Sequence, residues 1–307
     1  MNINELKFEN KLLNDKYEIR SPIGEGGTGV VYLAWDKHLE CSVAIKEEKM
    51  LGESSISVLK KEMDMLKNLK HPMLPIVLDY FAADKWYLVM EYIKGESLHN
   101  YIKKEGKIAE ETACEWALQI LDLFSYLHGR KPAVIYRDLK PDNIMVCPDS
   151  KLRVVDLGAA FCMNYNGSVQ DDQAGTMGYA APEQLNGGGM GMIIDNADER
   201  SDIYTFGATL YHMLTGFDPS LPPYGIRPPR CMNPELTAGI EKIVLKCTEK
   251  DPVRRYQNVE EIKRDIKRRK YLGRRVYFFG FGKKERYVIK KLEKNIWLTE
   301  KQTTGLI

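Results

Sequence analysis

Short runs of alternating apolar and polar residues fill the first third of the chain, and apolar positions at three- and four-residue spacing fill most of the remainder. Residues 17–23, 30–36 and 42–47 are β-branched or apolar runs separated by Gly-rich or charged turns, which predicts three strands. Ile56, Leu59, Met63, Leu66 and Leu69 then recur with helical period, and His71-Pro72 closes that helix. Two more strands are predicted over 76–82 and 86–92. From Ser97 onward helical periods dominate, over 98–104, 110–128, 201–215, 236–249 and 259–270. The Gly/Met-rich stretch 186–192 and the Pro-rich stretch 219–234 read as loops. The pattern predicts an α+β chain: a β-rich lobe of about 90 residues joined to a larger helical lobe.

Composition adds that this is a globular chain with a sizeable core, 44% hydrophobic and 29% charged over 307 residues. The formal net charge of +2 conceals a split. Residues 263–307 hold 15 basic and 4 acidic side chains, net +11, and residues 1–262 hold 30 and 39, net −9. The first 20 residues lack a positive start followed by an apolar run, so no secretory signal is expected there. The apolar cluster 276–281 is interrupted by Gly280 and falls far short of the about 20 residues a membrane helix requires. Six scattered cysteines form no C-x-x-C pair, so reduced thiols and a cytoplasmic location are expected.

Four strings carry chemistry. Between the first two predicted strands lies Gly24-Glu25-Gly26-Gly27-Thr28-Gly29, followed by Val30-Val31. Glycines let backbone approach phosphate oxygens closely, so such a turn can fold over a nucleotide's phosphates. Alone it reads more readily as an ordinary Gly-rich hairpin, and a dinucleotide fold is excluded because a strand follows it rather than a helix. Val43-Ala44-Ile45-Lys46 ends a strand on a lysine that is costly to bury unless its ammonium finds an anion, phosphate or the carboxylate of Glu62, though each taken alone also reads as a solvated surface charge. The string Tyr136-Arg137-Asp138-Leu139-Lys140-Pro141-Asp142-Asn143 decides the matter, since fixing Arg137, Asp138, Lys140 and Asn143 at these spacings has a chance expectation of about 0.002 in such a chain. Asp138 can take a proton from an attacking hydroxyl, Lys140 can neutralise a moving phosphoryl group, and Asn143 can offer an oxygen to a metal. Asp156-Leu157-Gly158 comes next, with a carboxylate suited to a hard divalent cation.

In this order the motifs resemble those of a protein kinase catalytic domain, most closely the bacterial eukaryotic-like Ser/Thr kinases, over about residues 17–270. The resemblance implies a two-lobed protein-kinase-like fold, with a small lobe over about 17–92 and a helical lobe over about 97–270. Residues 1–16 and 271–307 would be extensions. It also implies ATP and Mg²⁺, with Mn²⁺ as a substitute, and a protein Ser/Thr acceptor. Asp138 would be the base, with Lys140, Lys46, Glu62, Arg137 and Thr176 completing the catalytic set. Asn143 and Asp156 would hold the metal. Nucleotide would lie against Ile23, Gly24, Glu25, Gly26, Gly27, Thr28, Gly29, Val30, Val31, Ala44, Lys46 and Met145, with Met90 as gatekeeper and the Glu91 and Ile93 backbone as hinge. Thr176 would bond Asp138 and Lys140, Asp202 would support the catalytic loop, and Arg255 would pair with Glu183 of the Ala181-Pro182-Glu183 segment. Because Lys46, Asp138 and Asp156 are retained, phosphotransfer, including autophosphorylation, is expected over a pseudokinase scaffold with a conformational output.

The chain departs from the family pattern in several places. Tyr136 and Leu157 stand where histidine and phenylalanine are usual, and both can still pack. Ser97 replaces a glutamate that basophilic members carry. Asp172, beside Asp171, occupies the position of an activating phosphorylated residue, where it either supplies charge to Arg137 permanently or is simply solvated. The helix usually found between the 201–215 and 236–249 helices has too little periodic sequence to form. The basic, aromatic tail is open to three readings: a solvated extension, a surface docking on the acidic body, or a weak contact with anionic membrane. The sequence carries no nucleic-acid module, and no nucleic-acid partner is expected.

Overall fold

A computed structural model of the chain describes residues 12–26, 29–48, 66–156, 158–162, 175–185, 197–222 and 224–272. The small lobe is built on an antiparallel sheet of β1 (Leu12–Leu13), β2 (Tyr17–Gly26), β3 (Gly29–Asp36), β4 (Cys41–Glu48), β5 (Val77–Ala82) and β6 (Trp86–Glu91), in the order β1-β2-β3-β4-β6-β5. Its register sorts the side chains into two faces. Val31 lies opposite Lys46, Lys46 opposite Leu88, and Ala44 opposite Met90. Val31, Ala44, Leu88 and Met90 pack into the core shared with the helical lobe, and Tyr32, Val43, Ile45, Tyr87 and Val89 form a separate cluster on the other face. Lys46 therefore belongs to the face turned toward the larger lobe.

The helical lobe is organised around α1 (Leu98–Glu105), α2 (Glu110–His128) and, later in the chain, α4 (Glu199–Thr215). Between α2 and α4 the chain forms short strands, β8 (Val134–Ile135), β9 (Ile144–Val146), β10 (Leu152–Val154) and β11 (Phe161–Cys162), then the single turn α3 (Pro182–Leu185). β9 is flanked by β10 and by β7 (Glu96–Ser97), and β8 pairs with β11. α4 is buried on all sides apart from Glu199, Arg200 and Tyr204, which is the signature of a central helix. Asp198 and Ser201 form a capping box at its start, and Gly216 in the left-handed conformation ends it. Gly207 permits its close approach to α6 (Ala238–Cys247), for a Cβ there would come within 2.6 Å of the Cys247 Cβ. α7 (Val259–Leu272) closes the lobe, burying Ile262 and Ile266 and tying Arg269 to Glu110 and Glu111 of α2.

Several elements go beyond the sequence expectation, among them β7 to β11 and α3, which are too short to show a period. The sheet begins before residue 17: Leu12–Leu13 pairs with Glu18 and Tyr17 through a turn in which Asn14 and Asp15 have φ of 50° and 51°, so Leu13 enters the core. Both turn residues tolerate that conformation, which suits a tight hairpin. The Pro-rich segment contains one helical turn, α5 (Pro229–Met232), started by Pro229 at a position where its missing N–H costs nothing. The helix expected over 56–69 lies outside the described residues except for its last turn, where Leu66 and Leu69 are buried. Among the described residues no helix is long and apolar enough to cross a membrane.

Candidate active site

The loop between β8 and β9 is held from beneath by one buried carboxylate. Asp202 of α4 accepts the backbone N–H of Tyr136 at 2.9 Å through Oδ2 and that of Arg137 at 2.8 Å through Oδ1, and Oδ2 also lies 2.8 Å from His128 Nε2. Arg137 takes a left-handed φ of 67°, a costly conformation for a residue with a Cβ that these bonds help to maintain. Two turns further along α4, Thr209 donates to the Leu139 carbonyl at 3.1 Å. The loop is thus fixed by its backbone, which leaves its side chains free for chemistry.

Those side chains converge. Asp138 Oδ1 accepts the Thr176 hydroxyl at 2.9 Å, and Asp138 Oδ2 lies 3.2 Å from Lys140 Nζ and accepts Asn143 Nδ2 at 3.0 Å. Lys140 also donates to Thr176 Oγ1 at 2.6 Å, so Thr176 is clamped by both residues expected to hold it. The β9-β10 hairpin brings Asn143 to Asp156: Ile144 lies opposite Val154, and the Val155 N–H donates to the Asn143 carbonyl at 3.0 Å, one residue before Asp156.

Lys46 Nζ reaches Asp156 Oδ1 at 3.2 Å, and the Gly158 N–H donates to the same oxygen at 2.9 Å. Burial pushes the Asp156 carboxyl upward, but the Lys46 ammonium, the Gly158 N–H and the nearby Lys140 outweigh it and hold it below its ordinary range. The Tyr136 phenol, fully buried between these acids, is pushed well above its usual value and so stays protonated. Its hydroxyl donates to the Asp156 carbonyl at 2.5 Å. The unusual residue at 136 therefore does more than fill space: it ties the catalytic loop to the Asp156 turn.

Of the residues expected to line a nucleotide, Val31, Ala44, Lys46 and Met90 are set side by side by the sheet, and Met145 lies on β9. Ile23 sits at a bulge where the β2-β3 register slips, and it is largely exposed, as are Gly24 and Glu25. Gly26, Gly29 and Val30 complete the hairpin. The Glu91 carboxylate holds Arg153 Nη2 at 2.6 Å, anchoring the hinge to β10. Ile93 is buried beside it. Glu62, Gly27, Thr28, Leu157, Asp171, Asp172 and the tail beyond Leu272 lie outside the described residues.

The Ala181-Pro182-Glu183 segment is anchored by a two-point ion pair, Arg255 Nη1 to Glu183 Oε1 at 2.7 Å and Nη2 to Oε2 at 2.8 Å. Ser201 also donates to Glu183. Residues 17–264 match the family model described as the protein kinase domain. This chain belongs to the protein kinase family. Among relatives of this kinase domain, a probable serine/threonine-protein kinase of Clostridium acetobutylicum is 34% identical over 267 residues, 82% of this chain and 39% of the relative. Serine/threonine-protein kinase PrkC of Bacillus subtilis is 31% identical over 273 residues, 84% of this chain and 41% of the relative. Serine/threonine-protein kinase PknB of Mycobacterium tuberculosis is 31% identical over 278 residues, 83% and 43% respectively. The chain thus aligns with about two fifths of the length of these curated relatives. Protein kinases as a family use ATP with a divalent metal and act on proteins.

Sequence reasoning missed several residues of this kinase site. Thr209 and His212 are, like Asp202, polar residues buried in α4, and a polar residue in a mostly buried helix is a legible signal. Gln184 links the platform to the loop, donating to the Arg137 carbonyl at 3.0 Å and accepting the Ala181 N–H at 2.9 Å. Ser97, at the position where basophilic members carry an acid, caps α1 by accepting the Asn100 N–H at 3.2 Å. Arg137 itself donates to the Ala159 carbonyl at 2.6 Å and lies over the Phe161 ring.

Proposed function

We propose that this chain is a serine/threonine protein kinase domain that transfers the γ-phosphoryl group of ATP to protein Ser or Thr hydroxyls, its own included. The observation that carries the reading is the Asp138 carboxylate, held at Oδ1 by Thr176 and at Oδ2 by Lys140 and Asn143. In the reaction the acceptor oxygen bonds to the γ-phosphorus as the bond to the β,γ-bridging oxygen breaks, and Asp138 receives the acceptor proton. Lys140 offsets negative charge on the transferred group, and Lys46 orients the nucleotide phosphates.

The donor set fits Mg²⁺, with Mn²⁺ as a substitute. Asn143 donates through Nδ2 to Asp138, which turns its amide oxygen to the other side, and the hydrogen bonds of Asp156 among the described residues all fall on Oδ1 or the backbone. One amide oxygen and one carboxylate oxygen, completed by phosphate and water, suit a hard cation that retains much of its hydration. When bound, the cation neutralises charge on the phosphate oxygens. The Lys140–Thr176 bond supports Ser/Thr acceptors over Tyr.

Incubation of the full chain with radiolabelled ATP, Mg²⁺ and a generic protein acceptor should label the acceptor, and Asp138→Asn should reduce the rate by about 10²- to 10⁴-fold. Nucleotide binding without transfer by the unaltered chain would overturn the enzyme reading in favour of a conformational scaffold.

A further inference from the structure

A buried histidine that the phosphotransfer chemistry does not use sits beneath the acceptor platform. His212 of α4 is 4% exposed, and its Nδ1 lies 2.6 Å from the Tyr179 hydroxyl. That hydroxyl also donates to Asp218 Oδ1 at 3.2 Å. Tyr179 is one end of a tight turn whose other end is Thr176, for the Thr176 carbonyl accepts the N–H groups of Tyr179 at 3.0 Å and Ala180 at 2.8 Å. The turn is thus pinned twice, by Thr176 on Asp138 and Lys140, and by Tyr179 on His212 and Asp218. Gly178, between the pins, has φ of 89° and backs onto Ser220, where a Cβ would come within 2.6 Å of backbone. The turn is short and crowded, so a shift of Tyr179 is passed on to Thr176.

The direction of the hydrogen bonds follows from counting protons. The Tyr179 hydroxyl has one. Given to Asp218, it leaves the phenol oxygen as an acceptor, and His212 must then present Nδ1–H. Given to His212, it would leave oxygen lone pairs facing the Asp218 carboxylate, which already collects the N–H and hydroxyl of Ser220 at 2.8 and 2.6 Å. The groups facing His212 are Tyr179 of the platform, Asp218 of the following loop, the His99 ring of α1 at 6.1 Å, and, through its field, Asp142 of the catalytic loop. Burial holds the imidazole down to about 4, which keeps it neutral at ordinary pH and consistent with one donor nitrogen and one bare nitrogen.

We propose that His212 is a positioning residue for the protein acceptor: through Nδ1–H it fixes the Tyr179 hydroxyl, and through the turn it keeps Thr176 against Asp138. The proposal rests on the kinase reading, because the platform matters only if an acceptor hydroxyl meets Asp138 there. It also assigns a reason for a neutral side chain at 212, since a carboxylate there would stand beside Asp218 and contest the same phenol proton.

The test uses the full chain and its variants His212→Ala, His212→Asn, His212→Asp and Tyr179→Phe, with a generic protein acceptor, and separate titrations of acceptor and ATP. His212→Ala and Tyr179→Phe should each raise the acceptor KM by about tenfold with the ATP KM unchanged, and the double variant should be no worse than the weaker single one. Asn, which retains a donor near the position of Nδ1, should restore most of the acceptor affinity, and Asp should not. If His212→Ala fails to fold, the contrast between Asn and Asp and the effect of Tyr179→Phe carry the test. An unchanged acceptor KM with kcat lowered only by the inactive fraction, additive effects, or equal rescue by Asp would overturn the assignment. Absence of transfer by the unaltered chain would instead count against the kinase reading on which the assignment stands.

Discussion

The Tyr136 hydroxyl donates to the backbone carbonyl of Asp156 at 2.5 Å, joining the residue before the catalytic loop's arginine to the residue expected to bind metal. Both ends are constrained elsewhere, Tyr136 by Asp202 through its N–H and Asp156 by Lys46 through its carboxylate. Tyr136→Phe leaves a partly buried carbonyl without its donor, a loss of about 1 kcal/mol. The expected outcome is a lower thermal midpoint together with a higher Mg²⁺ requirement in the transfer assay. An unchanged Mg²⁺ titration would show that the bond does not orient the Asp156 turn.

Arg255 is 2% exposed and has both terminal nitrogens on Glu183. Removing one member strands the other in a poorly solvated site, at a cost of about 3–5 kcal/mol for Arg255→Ala. Arg255→Lys should recover only part of this, because an ammonium cannot make the two parallel bonds. Urea unfolding of the two variants measures the difference, and equal stability would argue against the two-point geometry.

Acid should weaken the fold in two ranges. His212 has its pKa lowered to about 4 from an ordinary 6.5, so the unfolded chain binds the proton more readily and stability is lost as pH falls between those values. This contribution is on the order of 3 kcal/mol when fully lost. Glu183 is also lowered, against its own burial, by Arg255 and Ser201, so its contribution is present above its ordinary 4.5 and disappears as pH falls below it. Unfolding free energies measured from pH 7 to 4 should decline less steeply in His212→Asn than in the unaltered chain.

Gly239 lies where α6 crosses the end of α7, and a Cβ there would overlap the Arg269 carbonyl. Gly239→Ala should destabilise by about 1–3 kcal/mol through forced displacement of α7, although alanine is the better helix former. Chemical denaturation would register this, and a neutral or stabilising effect would mean that the helix contact yields freely.

Much of this architecture is legible in the order of residues. The strands at 30–36, 42–47 and 86–92 and the helix over 110–128 emerge within a residue or two of their expected ends, because alternation and helical period reflect which side of each element is buried. The Asn14-Asp15 turn escapes such a reading because β1, which precedes it, has two residues and is too short to show a period. The site divides in the same way. Asp138, Lys140, Asn143 and Asp156 announce themselves by type and spacing, and Thr176, Asp202 and the Arg255–Glu183 pair are expected from resemblance. The engagement of Tyr136 with Asp156, of Glu91 with Arg153, and of His212 with Tyr179 joins residues 20, 62 and 33 positions apart, and spacing in the chain carries no information about such contacts.

The sequence by itself determined the order of the longer elements, the lobe of each and the inventory of reactive groups, since these follow from local periodicity and from which side chains can carry charge or move a proton. Only the tertiary structure decided how those groups are held. The central, buried α4 supplies Asp202 and Thr209 to the 136–143 loop and His212 to the Thr176–Tyr179 turn, so one rigid helix sets the relative position of the proposed base and the proposed acceptor platform. A polar group buried in that helix must find a partner or lose its hydration uncompensated, and the partners are available only where the folded chain brings them.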